Sequence, residues 1–125
     1  MLKSGGTTKA VGDAAEAHAL AYLQRQGLTL VQRNYRVARG PRARGGEIDL
    51  ILRDRGGTLI FCEVRARTSS AQGGAGASVT AAKQRALVFA AQHYLQSLAR
   101  LPDCRFDVVA IDGDRIEWLP GAFTA

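Results

Sequence analysis

Cysteine, histidine and lysine are scarce in this sequence, and so are long apolar runs. Cys62 and Cys104 are the only cysteines. They stand in separate apolar runs without C-x-x-C or Cys/His spacing, so a disulfide framework and a zinc site are excluded and two buried free thiols are expected. His18 and His93 lie on predicted helices away from other ligand types, which points to surface or packing roles. No apolar run approaches the ~20 residues of a membrane span. The opening MLKSGGTTKA has no apolar core of a secretory signal. The chain therefore reads as soluble and cytoplasmic, without a membrane partner. The glycine-rich SSAQGGAGA (69–77) is not followed by Gly-Lys-Ser/Thr, so it is no P-loop; its composition predicts a mobile loop. No repeat or second compositional block is present. The 125 residues suffice for one hydrophobic core. A single domain over 11–125 is expected after a flexible segment, 1–10.

What the chain has in abundance is arginine. The net charge is +6, and arginine supplies 14 of the 17 basic residues. The pI is about 10.0. Guanidinium groups suit bidentate phosphate contacts better than ammonium groups do. The charge is also clustered. RNYRVARGPRAR (33–44) carries Arg33, Arg36, Arg39, Arg42 and Arg44 with no acid. That run reads either as a solvated loop or as a nucleic-acid-binding arm.

The pattern of elements is α-β-β-β-α-β-β. An alanine-rich helix is predicted from Gly12 or Asp13 to Gln26, with Gly27 as its stop. Strands follow at 28–36, 46–52 and 58–67, the last two joined by the turn RDRGG (53–57). A second helix, capped by Ser78 or Thr80, is predicted to reach Arg100 before Pro102. Strands at 104–111 and 115–119 flank the turn Asp112-Gly113-Asp114. Along 46–52, alternation places Glu47, Asp49 and Ile51 on one face and Ile48, Leu50 and Leu52 on the other. Along 58–67, Leu59, Phe61, Glu63, Arg65 and Arg67 share a face. Both faces begin apolar, so this strand is central, in a mixed α/β sheet flanked by helices.

Two carboxylates occupy expensive positions. Asp49 lies inside EIDLIL and Glu63 inside LIFCEV, where a lone buried charge costs several kcal/mol. On strands joined by a hairpin they can come close, and close carboxylates repel unless a proton or cation lies between them. Mg²⁺ or Mn²⁺ would resolve the conflict. Arg65 points to the same side as Glu63, about 6–7 Å along the strand. Acids holding a metal, with a cation beside them, form the arrangement that phosphodiester hydrolysis needs. The competing reading is a salt-bridge cluster of the acids with Arg65 and Arg67. Glu16, on the first helix with Gly12, Leu20 and Leu23, is either a third acid aimed at the sheet or an ordinary surface glutamate. Lys83 and Arg85, in the first turns of the second helix, are placed either for phosphate binding or simply for solvent.

GEIDLI…IFCEVRAR, after GDAAEAHALAYLQRQG and RNYR, resembles the YraN-like family of small bacterial proteins. That family is similar to Holliday junction resolvases and to the restriction-endonuclease-like PD-(D/E)xK superfamily. AAKQRALVFAAQHYL and RFDVVAI extend the resemblance from about residue 9 to 119. It implies a restriction-endonuclease-like core and a Mg²⁺- or Mn²⁺-dependent endonuclease acting on structured, branched DNA. Asp49 and Glu63 then match the metal-binding acids, Glu16 the helix-borne acid, and the Val64 carbonyl a further ligand. Glu47 becomes an auxiliary ligand or an arginine's partner, and Arg67 a second phosphate contact. The superfamily has lysine where this chain has Arg65. An arginine clamps phosphate but cannot accept a proton. A DNA-binding module with the nuclease fold and little turnover is therefore the alternative. Resolving a symmetric junction would suit a two-fold homodimer, for which the sequence names no interface.

Overall fold

The run LIFCEV is the middle of a five-stranded sheet, in the order β1-β2-β3-β4-β5. A computed structural model describes residues 8–40, 45–67 and 79–125; the side chains of 8–10 and of Arg67 are outside that description. The first seven residues, the expected loop 69–77, Ser78, Arg42 and Arg44 also lie outside the described residues. The elements are α1 (Thr8–Arg25), β1 (Thr29–Val37), β2 (Gly46–Arg53), β3 (Leu59–Arg67), α2 (Ala81–Leu95), β4 (Cys104–Asp112) and β5 (Arg115–Phe123). This is the predicted order. β3 and β4 pair in parallel across α2, and the other neighbours are antiparallel, so the sheet is mixed.

The helices cover opposite faces. Ile60 and Cys62 of β3 pack with Leu50, Leu52 and Val109 against Ala15, Ala19 and Leu23 of α1. Leu59 and Phe61 point the other way, onto Leu87, Ala90 and Ala91 of α2. Alternate side chains of β3 thus serve two cores, which is why its sequence is apolar without interruption. Each fully buried Leu, Ile or Phe contributes roughly 1.5–3 kcal/mol.

Four details differ from the sequence reading. α1 begins at Thr8, ahead of Gly12. A single glycine in a helix costs only ~1 kcal/mol and does not have to end it. α2 stops at Leu95, short of Arg100. There the Ser97 hydroxyl donates to the Tyr94 carbonyl at 2.7 Å, a local bond that competes with helix continuation. β5 runs to Phe123, past Pro120-Gly121. The register shifts there, between Phe106↔Phe123 and Val108↔Leu119, so a bulge absorbs the two breakers. Phe123 stacks on Phe106 with centroids 5.0 Å apart. Cys62 is buried as expected, but Cys104, the first residue of β4, is exposed. Its apolar context in sequence does not cover a strand end.

α2 lies unusually close to the start of β2. A Cβ on Gly46 would strike the Ala86 carbonyl oxygen and lie 2.9 Å from the Ala90 methyl. Gly46→Ala is expected to lift this end of α2 and to destabilise the fold by about 1–3 kcal/mol, as overpacking does. Urea denaturation checks it, and a loss below about 0.5 kcal/mol would contradict the packing argument.

Candidate functional site

The site opens where β2 and β3 part. Their register runs from Arg53↔Leu59 to Leu50↔Cys62. Asp49 and Glu63 are the next residues on each strand. Beyond this point the Asp49 carboxylate replaces a ladder partner: the Val64 N–H donates to its Oδ2 at 2.8 Å.

On the other side of β2, the pairs Arg33↔Leu50 and Tyr35↔Ile48 bracket Asn34 and Asp49. Asn34 has φ 53°, in the left-handed region, which asparagine tolerates better than most residues. Residues two apart on a strand ordinarily share a face. Here Leu50 packs on the α1 side, whereas Ile48 and Tyr35 pack on the α2 side. The expected grouping of Ile48 with Leu50 and Leu52 is therefore corrected. Strict alternation along β2 thus breaks at Asp49, beside the left-handed Asn34.

Four carboxylates line one cleft of about 580 Å³: Glu16, Glu47, Asp49 and Glu63. Burial, and next the charge of Glu63, push the Asp49 carboxyl up to about 8; Glu16 and Glu47 add to the rise, and the Val64 N–H opposes it. Burial also raises the Glu16 carboxyl, against a side-chain hydrogen bond from Asn34 and the charge of Arg33. Glu16 Oε1 is buried with no hydrogen-bond partner among the described residues. Glu16, half-buried, lines the cleft together with Asp49 and Glu63.

Cations stand around these acids. Glu63, only 8% exposed, has Arg65 Nη1 3.6 Å and Lys83 Nζ 3.5 Å from the same oxygen, Oε2. Arg36 Nε lies 3.3 Å from Glu47 Oε2, with both side chains exposed. Glu47 is thus an arginine's partner at the rim. Lys83 reaches the cleft from the first turn of α2, whose N-cap is Thr80; the Lys83 backbone N–H donates to Thr80 Oγ1 at 3.2 Å. Val64 lines the cleft as well. The other predicted cations lie elsewhere. Arg39 sits 4.3 Å over the Phe89 ring. Arg85 is exposed on α2 and does not line the cleft. Arg33 acts on Glu16 through its charge. The Arg67 side chain, Arg42 and Arg44 fall outside the described residues.

Comparison with known proteins places the chain. The model of the Uncharacterised protein family UPF0102 matches residues 15–111. This chain belongs to that family. It is 64% identical over 119 residues to a UPF0102 protein of Methylibium petroleiphilum, covering 95% of this chain and 98% of that one. A UPF0102 protein of Acidovorax sp. is 60% identical over 119 residues, covering 95% and 88%. One from Cupriavidus taiwanensis is 57% identical over 117 residues, covering 94% and 85%. The matched span contains every cleft acid of this UPF0102 chain, together with Arg65 and Lys83.

The span also contains a carboxylate that the sequence reading missed. Asp107 is 1% exposed. Its Oδ1 accepts from Arg105 Nε at 2.8 Å and from the Gly121 N–H at 3.0 Å. Its Oδ2 accepts from Arg105 Nη2 at 3.0 Å and from Trp118 Nε1 at 2.9 Å. Its donors satisfy it, and its place is structural: it closes the β5 bulge. The one clue in sequence was a charge inside the apolar run RFDVVAI.

Proposed function

We propose that this UPF0102 protein binds nucleic acid and hydrolyses phosphodiester bonds in structured, branched DNA with the help of Mg²⁺ or Mn²⁺. The observation that carries this reading is the layering of charge in the cleft. Burial, and after it the charge of the neighbouring Glu63, raises the Asp49 carboxyl in its interior to about 8. Arg36, Arg65 and Lys83 stand along its lining. The interior calls for a cation and the surrounding bases for an anion, and a divalent ion on a phosphate supplies both.

The donor set fits a hard cation: carboxylate oxygens, one of them the buried, unpartnered Glu16 Oε1. Among the described residues, no three acidic, histidine or cysteine side chains form a ready cage. A Mg²⁺-type ion held by one or two carboxylates plus water and phosphate does not need one. Asp49 and Glu63 would hold the ion with the Val64 carbonyl, and Glu16 would stand behind them. Such an ion polarises the phosphate and lowers the pKa of an attacking water. The Arg65 guanidinium would donate hydrogen bonds to the phosphate and offset charge that develops there. The proton of the attacking water cannot go to Arg65.

The test is cleavage of supercoiled plasmid and of a synthetic four-way junction with Mg²⁺ or Mn²⁺. Wild type is expected to form products, and Asp49→Ala to lose at least about 100-fold in rate, the scale of a lost catalytic contact. Equal residual cleavage by the two proteins would remove the enzymatic claim. Arg65, standing where the superfamily has lysine, favours a second reading, a DNA-binding module with little turnover. It predicts salt-dependent DNA binding without metal-dependent products. No helix among the described residues is long and apolar enough to cross a membrane.

A further inference from the structure

We propose that Lys83 is an exchangeable counter-ion of the cleft: its ammonium group neutralises Glu63 while no divalent cation is bound, and moves to the substrate phosphate when one is. The inference rests on the metal-binding reading above and adds a role for a side chain on α2.

The argument starts from charge. Arg65 and Lys83 approach one oxygen, Glu63 Oε2, at 3.6 and 3.5 Å. One carboxylate charge faces two cations, so this pair carries a surplus positive charge. The two cations are not equivalent. The Arg65 side chain is 30% exposed and that of Lys83 50%. Arg65 stands two residues from Glu63 on the same strand. Lys83 sits on a separate element, at the end of a flexible four-carbon stem with three rotatable donors. It is also the one lysine whose side chain is described; the other two are Lys3 and Lys9. Its backbone is fixed by the Thr80 cap and by the close seating of α2 on Gly46. The backbone stays and the ammonium group swings.

An ammonium group and a divalent ion repel strongly if both remain within ~4 Å of one oxygen, even at a water-like dielectric constant. Lys83 must therefore leave Glu63 as a metal ion arrives. The nearest anion for it is then the phosphate that the metal ion holds. Lys83 so competes with the metal before substrate binds and assists the complex afterwards.

Calorimetric titration with MnCl₂, at low salt and without nucleic acid, tests this on wild type, Lys83→Gln, Lys83→Arg and Asp49→Asn. Lys83→Gln is expected to bind Mn²⁺ about fivefold more tightly than wild type, the loss of one unit-charge repulsion. Lys83→Arg should remain close to wild type. With Mn²⁺ saturating, Lys83→Gln should bind a DNA junction more weakly, with a salt slope smaller by about one. Equal or weaker Mn²⁺ binding by Lys83→Gln, with binding abolished in Asp49→Asn, would overturn the counter-ion role and leave the metal site standing. No Mn²⁺ binding by any of the four proteins would overturn the metal reading, and this inference with it. Lys83 is exposed and outside both cores, so its variants fold.

Discussion

Asp49→Asn is expected to make the metal-free protein more stable while removing its metal binding. Asp49 is held among carboxylates and away from water, and its folded-state pKa is raised from 3.8 to about 8. A carboxyl with a raised pKa binds more protons in the folded than in the unfolded state between those values. Stability therefore falls as pH rises through that window. The contribution is intact below about pH 4 and lost by about pH 8. Asparagine keeps an oxygen for the Val64 N–H but has no proton to lose. Thermal unfolding curves in chelator should coincide below about pH 4. They should then diverge, until Asp49→Asn is the more stable at pH 8 by about 4–6 kcal/mol. Mn²⁺ should raise the melting temperature of wild type, by mass action, and leave the variant unchanged. Parallel pH profiles for the two proteins would show that Asp49 is not crowded. A stabilising change that abolishes binding marks a residue kept for function at a cost in stability.

Asp107→Ala is expected to destabilise the fold by about 2–4 kcal/mol, because four hydrogen bonds to one buried carboxylate are lost together. The substitution leaves the half-buried Trp118 indole N–H without its acceptor, at about 1–3 kcal/mol, and turns the N–H of the exposed Gly121 over to water. The part owed to Arg105 is smaller, because 31% of its side chain is exposed and solvent screens it. A typical domain has only about 5–15 kcal/mol in total. If the alanine variant fails to fold, Asp107→Asn should fold with a smaller loss, since asparagine keeps one acceptor oxygen. Denaturation in urea orders the three proteins. A loss under about 1 kcal/mol for Asp107→Ala would remove Asp107 from the structural account.

Asp49, Glu63 and Asp107 show what a sequence can disclose. Each is a charge inside an apolar run, and that signal found the first two. It does not separate a crowded carboxylate from a satisfied one. The difference lies in partners: Asp107 meets an arginine, an indole and a bulge amide, whereas Asp49 meets three other acids. Arg105 and Glu47 are local, two residues away on the same strand, but the other partners come from β5 on one side and from α1 and β3 on the other, which no local pattern brings together. Asn34 has the same history. A polar residue in mid-strand is ordinary, and only the structure shows its left-handed backbone and its hydrogen bond to Glu16.

The order of elements, the mixed sheet and the centrality of LIFCEV were determined by sequence alone, because periodicity and turn residues are local and each apolar stretch must be covered. GEIDLI and IFCEVRAR carried the resemblance to the family, whose model matches residues 15–111. Tertiary structure alone decided which charges meet. Arg39 went to Phe89, Arg36 to Glu47, and Lys83 on α2 to Glu63 on β3. Such pairings depend on where separate elements come to rest, within a few ångströms, and a charge reads the same in sequence whether its partner is solvent, a salt bridge or another acid.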